Sequence, residues 1–278
     1  YVQGKIAGYM NDLLGLGVKG FRIDAAKHIH DAEIRAILNQ VPGTYFVTQE
    51  IIRDGVTPVA DYIKNGTINE FNYIYAMKNA FRKLDGQSLS GLNTILNPAG
   101  TNPWSNLASA NATVFIGNHD TERKAGECEV AGNGTAVRTA SQLQTCDSLN
   151  AYNGQLYLLA HTFMMAYSYG YPSAMTGYNF ESHDQGPPTA SPYNGGTTLV
   201  NCSSNPSEMG KWNCTHRSNY VGNMVGFRNY VDGTAVANWQ VDGTDRIAFS
   251  RGNKGFVAIN NTGTQWIATL NTGLAEGS

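Results

Sequence analysis

Gly20-Phe21-Arg22-Ile23-Asp24-Ala25-Ala26-Lys27-His28 is the stretch that decides the fold. A short apolar run ends in a carboxylate and then a polar turn, as a buried strand does when it delivers a side chain to a chemical site. Phe46-Val47-Thr48-Gln49-Glu50 and Phe115-Ile116-Gly117-Asn118-His119-Asp120 repeat the pattern. Working outward, strands are predicted at 20–25, 45–49, 68–73, 113–117 and 171–175. Helical spacing covers 2–16, where Ile6, Met10, Leu13 and Leu14 share a face. It recurs at 31–39, with Asp31 as the N-cap, and after Thr57-Pro58, where proline suits a first helical turn. Residues 75–84, 154–167 and 219–231 complete the helices.

Strand followed by helix, about five times over short links, signals a parallel α/β sheet. A closed (β/α)8 barrel and an open doubly wound sheet both fit. No Gly-x-Gly-x-x-Gly follows a strand, so the dinucleotide-binding version lacks its main support. From about residue 235 the rhythm changes to short strands at 236–239, 246–250, 256–260 and 265–270, with hairpin signals at Asp242-Gly243 and Gly252-Asn253. The expected division is therefore a catalytic barrel domain over 1–234 and the beginning of an antiparallel β domain over 235–278.

A formal net charge of -2 gives no electrostatic reason to bind nucleic acid or an anionic membrane. The longest apolar run, 156–169, is broken by His161, Thr162 and Ser168 and falls short of a membrane span. The chain opens at Tyr1 inside a helix, which reads as a truncation and makes the lack of a leader uninformative. The four cysteines fall into two local pairs, Cys128 with Cys146 and Cys202 with Cys214. Neither has metal or redox spacing. Asn-x-Ser/Thr sequons begin at Asn65, Asn111, Asn133, Asn201, Asn213 and Asn260. Paired cysteines and sequons together favour a secreted, extracellular protein.

One acid after a strand is usually a turn former or a helix cap. Three, each flanked by Arg, Gln or Asn-His, are better explained by a shared site, because parallel-barrel strands end on one face. Paired carboxylates suit glycoside hydrolysis, in which one attacks the anomeric carbon and the other, protonated, supplies the leaving oxygen with a proton. Arg22 lies two residues before Asp24 on the same strand face and would keep it ionised. Glu50 is expected to hold a proton through like-charge repulsion and desolvation.

Residues 20–28 resemble the second conserved block of α-amylases in glycoside hydrolase family 13. Gln49-Glu50-Ile51 resembles the third block, 115–120 the fourth, and 247–256 the start of the family's C-terminal β domain. The resemblance implies retaining endo-hydrolysis of α-1,4-glucosidic bonds in starch or glycogen by a monomeric enzyme. Asp24 would be the nucleophile, Glu50 the acid and base, and Asp120 the stabiliser of the distorted sugar. Arg22 would orient Asp24, His119 would bind the same sugar, and Lys27 and His28 would bind sugars on the leaving-group side. A structural calcium is implied, with the His28 carbonyl as one ligand and the others from segments absent here. The segment 212–217 resembles one where animal-type relatives hold a local disulfide, which favours Cys202–Cys214. Cys128–Cys146 rests on proximity, and two other connectivities remain open.

The chain departs from the pattern in two ways. The family's first block, its first three strands and its inserted domain are missing, and five strands cannot close an eight-stranded barrel. The stretch expressed alone is therefore expected to be insoluble or partly unfolded. Animal-type relatives bind chloride through residues matching Arg22 and Asn118 plus a basic residue where this chain has Ser173, so chloride is not expected to be required. Rival readings are an α-glucosidase or glucan transferase with the same triad, and a binding protein on a degenerate amylase fold. Tyr62, Trp104 and Tyr152 are left to packing.

Overall fold

In the computed structural model, which describes residues 1–96, 107–124, 134–189, 191 and 201–276, the acid-ended runs are strands of one parallel sheet. Its strands are β1 (Gly20–Ile23), β2 (Phe46–Gln49), β3 (Thr67–Asn69), β4 (Ala112–Val114) and β5 (Tyr171–Pro172). Each pairs in parallel with the next, in chain order. A doubly wound sheet reverses its order at a switch point, whereas a barrel does not. The sheet also curls. Thr48 on β2 reaches past β3 to donate its hydroxyl to Thr113 Oγ1 on β4 at 3.0 Å. The rings of Phe46 and Tyr171, on β2 and β5, meet edge to face at 5.7 Å.

The helices are α1 (Val2–Gly15), α2 (Asp31–Leu38), α3 (Val59–Tyr62), α4 (Phe71–Arg82), α5 (Leu92–Ile95), α6 (Ala140–Leu143), α7 (Gln155–Ala166) and α8 (Gly222–Tyr230). Several boundaries differ from expectation. The cap of α2 is His30, whose Nδ1 accepts from the Ala32 amide, while Asp31 turns to Arg35 one turn on. The expected strand over 68–73 stops at Asn69, because Glu70 caps α4 by accepting from the Asn72 amide at 3.2 Å. The predicted run 171–175 is a strand only over Tyr171–Pro172, and the Ser173 amide makes the last bond to β4, donating to the Val114 carbonyl at 2.8 Å. Tyr62 and Tyr152 are buried packing residues, and Trp104 lies outside the described residues.

The largest core joins α4, α5 and α7 to β4 and to a second sheet of β6 (Val236–Asp242), β7 (Arg246–Arg251) and β8 (Gly255–Asn260). This sheet is antiparallel in the order β6-β7-β8. Gly255 has to be glycine, since a Cβ there would lie 2.7 Å from Phe227 of α8. The expected strand at 265–270 is absent: Ile267 is 85% exposed, so its side of the alternation has no core to face. Arg251, 2% exposed, donates to the carbonyls of Ala166 at the end of α7, of Val231 and of Thr234.

Cys202 and Cys214 form a disulfide. Cys146 is also disulfide-bonded, and Cys128 lies outside the described residues. The Asn65 sequon is unsuited to glycosylation in the folded chain, because its amide is buried between the Asp31 carbonyl and Arg35. No described helix is long and apolar enough to cross a membrane.

Candidate active site

The parallel sheet sends β1 and β2 to the same face, so Asp24 and Glu50 emerge side by side. The Glu50 amide donates to the Ile23 carbonyl at 2.9 Å, and the Ala26 amide donates back to the Glu50 carbonyl at 3.0 Å. Between these bonds the chain turns at Ala25, whose φ of 45° is left-handed and costs a residue with a Cβ roughly 1–2 kcal/mol. That turn aims the Ala25 amide at Glu50 Oε2, 2.9 Å away.

One guanidinium holds both acids. Arg22 Nη1 lies 2.5 Å from Asp24 Oδ1 and Nη2 lies 3.0 Å from Glu50 Oε1. Glu50 is 7% exposed as a residue, whereas the Asp24 side chain is 71% exposed and open to a ligand. The Arg22 hydrogen bond, then its charge, hold the Asp24 carboxyl below the ordinary carboxylate range, and a hydrogen bond from Glu50 and the charge of His119 act in the same direction.

The third acid arrives on the loop after β4. Asn118 shapes that loop, its Oδ1 accepting from the amides of Asp120 and Thr121 and from the Thr121 hydroxyl. Gly117 is required beside it, because a Cβ would meet Ser148 Oγ at 2.5 Å. Asp120 is 3.7 Å from His119 and 3.9 Å from Lys124. No direct bond joins Asp120 to the Asp24–Glu50 pair among the described residues; its neighbour His119 bears on Asp24 through its charge. Arg22, Asn118, His119 and Ser173 line one cavity of about 240 Å³, together with Thr48, Asn69 and Thr113 from the strands beneath. Lys27 lies to one side, donating to the Ile52 carbonyl and pairing with Asp54 at 3.3 Å.

Residues 237–278 match the α-amylase C-terminal all-β domain. All of the chain aligns with human α-amylase 1B at 34% identity, covering 54% of that protein, and with the α-amylase of Streptomyces violaceus at 36%, covering 42%. The crystal structure of α-amylase I from Eisenia fetida superposes on 99% of the chain with a TM-score of 0.77 at 32% identity, covering 54% of that structure. The chain is homologous to α-amylases along its whole length. It spans about half the length of the human relative. The α-amylase likeness fixes the architecture as part of a (β/α)8 barrel followed by an all-β domain.

Calcium takes six to eight oxygen ligands. The described residues of this α-amylase homologue contain no group of three or more His, Cys, Asp or Glu side chains that could hold a metal. The carbonyls flanking His28, those of Lys27 and Ile29, accept from the Tyr62 hydroxyl. Among the described residues the His28 carbonyl is thus one donor without the rest of a site.

Sequence reading missed two buried acids near the site. Glu70 follows β3 directly and caps α4. Glu122 follows Asp120 by two residues, and burial pushes its carboxyl up to about 7 against an ordinary 4.5, opposed by Arg123. His161, inside α7, is pushed down to about 4 by burial from an ordinary 6.5. The unfolded chain therefore binds a proton at His161 first, and that contribution to stability falls as pH drops from 6.5 to 4. The folded chain holds a proton on Glu122, so that contribution falls as pH rises from 4.5 to 7. Relative to the wild type, His161→Leu should lose less stability on acidification and Glu122→Gln less on alkalinisation. Urea midpoints across this range check both, and parallel slopes in all three proteins would contradict the assignment.

Proposed function

We propose that the natural protein containing this chain is a secreted, monomeric, retaining endo-hydrolase of α-1,4-glucosidic bonds in starch, glycogen and related glucans, with residues 1–234 in the catalytic barrel domain and 235–278 in the β domain. The observation that carries this reading is the single Arg22 guanidinium shared by Asp24 and Glu50 at adjacent strand ends. One guanidinium spans two carboxylates only when they are close, as suits the roughly 5–5.5 Å spacing of retaining glycosidases. A neighbour lends support: α-amylase I of Eisenia fetida has been crystallised as a Glu-to-Gln variant with maltohexaose.

In the proposed reaction an Asp24 oxygen bonds to the anomeric carbon as the bond from that carbon to the leaving sugar's oxygen breaks. Glu50 gives its proton to that oxygen. Water then releases the sugar from Asp24, losing a proton to Glu50. Asp24 is suited to attack because Arg22 keeps it ionised, and its side chain is open to solvent. Glu50 is suited to proton transfer because it is buried beside that charge. Asp120 and His119 would hold the hydroxyls of the reacting sugar, and Lys27 and His28 the sugars on the leaving side. The His28 carbonyl would give calcium one ligand.

Endo action is tested on a long linear glucan. Viscosity is expected to collapse while few reducing ends have formed; reducing ends rising with viscosity maintained would point to an α-glucosidase. Chloride dependence follows from the cavity. Arg22 is committed to two carboxylates, and Ser173 brings no second cation to the wall it shares with Asn118. Activity of the dialysed enzyme should therefore not change on adding chloride, and a steep rise would contradict this.

A further inference from the structure

Glu70, 1% exposed, lies between β3 and α4, and both its oxygens are engaged. Oε1 accepts from the Asn72 amide at 3.2 Å, which caps α4. Oε2 accepts from the Leu107 amide at 2.8 Å and from Arg53 Nη2 at 3.0 Å. The Glu70 amide donates to the Thr113 carbonyl of β4 at 2.9 Å. Capping α4 needs only one neutral acceptor, which Asn or Ser supplies without burying a charge. The charge serves Arg53, and Arg53 lies three residues beyond Glu50.

We infer that Glu70 is a positioning residue for proton transfer by Glu50, acting through Arg53; this rests on the hydrolase reading above. Among the described residues the Glu50 carboxyl is held from the β1 side, by Arg22 and the Ala25 amide. The segment that follows it is tied to the β1 side by Lys27, which grips the Ile52 carbonyl and Asp54. Toward β3, Ile51 shares a buried cluster with Ile68, and beyond it Arg53–Glu70 is the polar tie from this segment to the end of β3. Without that tie the polar contacts of the segment beyond Ile51 all run to the β1 side among the described residues. A general acid has to sit within hydrogen-bond reach of the oxygen it protonates, and a shift of about 1 Å can cost on the order of 10²-fold.

The test compares two substrates in the full-length protein: a maltooligosaccharide, whose leaving sugar needs the Glu50 proton, and a maltotrioside with a chloronitrophenyl leaving group, which departs with little protonation. In Glu70→Gln, kcat/KM on the first is expected to fall on the order of 10²-fold, with a much smaller loss on the second. Arg53→Met should reproduce this split and Arg53→Lys should recover part of the loss. Arg53 is partly exposed, so Arg53→Met carries the test if Glu70→Gln does not fold. Equal losses on both substrates, or no loss on either, would overturn the inference. A wild type inactive on both would instead remove the hydrolase reading, and this inference with it.

Discussion

Glu50→Gln is expected to lower kcat on a linear α-1,4-glucan by about 10²–10⁴-fold, the usual contribution of a positioned acid and base. The substitution keeps the side-chain shape, and the amide oxygen can still accept from Arg22 or from the Ala25 amide, so the fold and the Asp24–Arg22 pair should survive. Glucan affinity measured by calorimetry should stay near the wild-type value while turnover disappears. Undiminished hydrolysis would take Glu50 out of the chemistry and leave its burial beside Asp24 without a purpose.

Arg251→Met should produce the largest loss of stability. Its guanidinium, nearly inaccessible, is the donor to the Ala166, Val231 and Thr234 carbonyls, which close the end of α7 and the turn into β6. Burial holds its pKa down to about 10, yet it stays charged at neutral pH and faces the negative end of the α7 dipole. Methionine keeps the packing volume and strands the Ala166 and Thr234 carbonyls, each at about 1–3 kcal/mol, for a total of several kcal/mol, while the Val231 carbonyl keeps its bonds from the Thr234 amide and hydroxyl. For a domain of this size that corresponds to a fall in Tm of roughly 10 °C or more. Thermal denaturation measures it, and an unshifted Tm would show that water reaches these carbonyls readily. Activity well below the transition should be retained, since Arg251 touches none of the candidate site residues.

Asp24, Glu50 and Asp120 were legible in the sequence because each follows a run apolar enough to read as a strand, and the chain-order sheet then decided for the barrel. Glu70 was not legible, because β3 is Thr67-Ile68-Asn69, and its polar members bond across the barrel interior. Thr67 and Thr113 share a hydroxyl contact at 2.8 Å, and Asn69 donates to Thr48 at 3.0 Å. A strand that lines a polar interior shows no apolar run ending at its acid, so the strand expected over 68–73 runs on through Glu70. The His30 cap was hidden because Asp31 is the stronger capping type, and only its pairing with Arg35 diverts it. The alternation at 265–270 suggested a strand, but alternation reports a half-buried face only when a core lies opposite it.

Covalent trapping is the sharpest test of the carboxylate pair. The full-length protein would be incubated with a fluorinated α-glycosyl fluoride that forms the glycosyl-enzyme quickly and releases it slowly, then digested and sequenced by mass spectrometry. A sugar mass on Asp24 is the expected result, with release slowed further in Glu50→Gln. A label on any other residue, or a first-formed product of inverted configuration with no label at all, would mean that Asp24 and Glu50 do not divide attack and proton transfer between them.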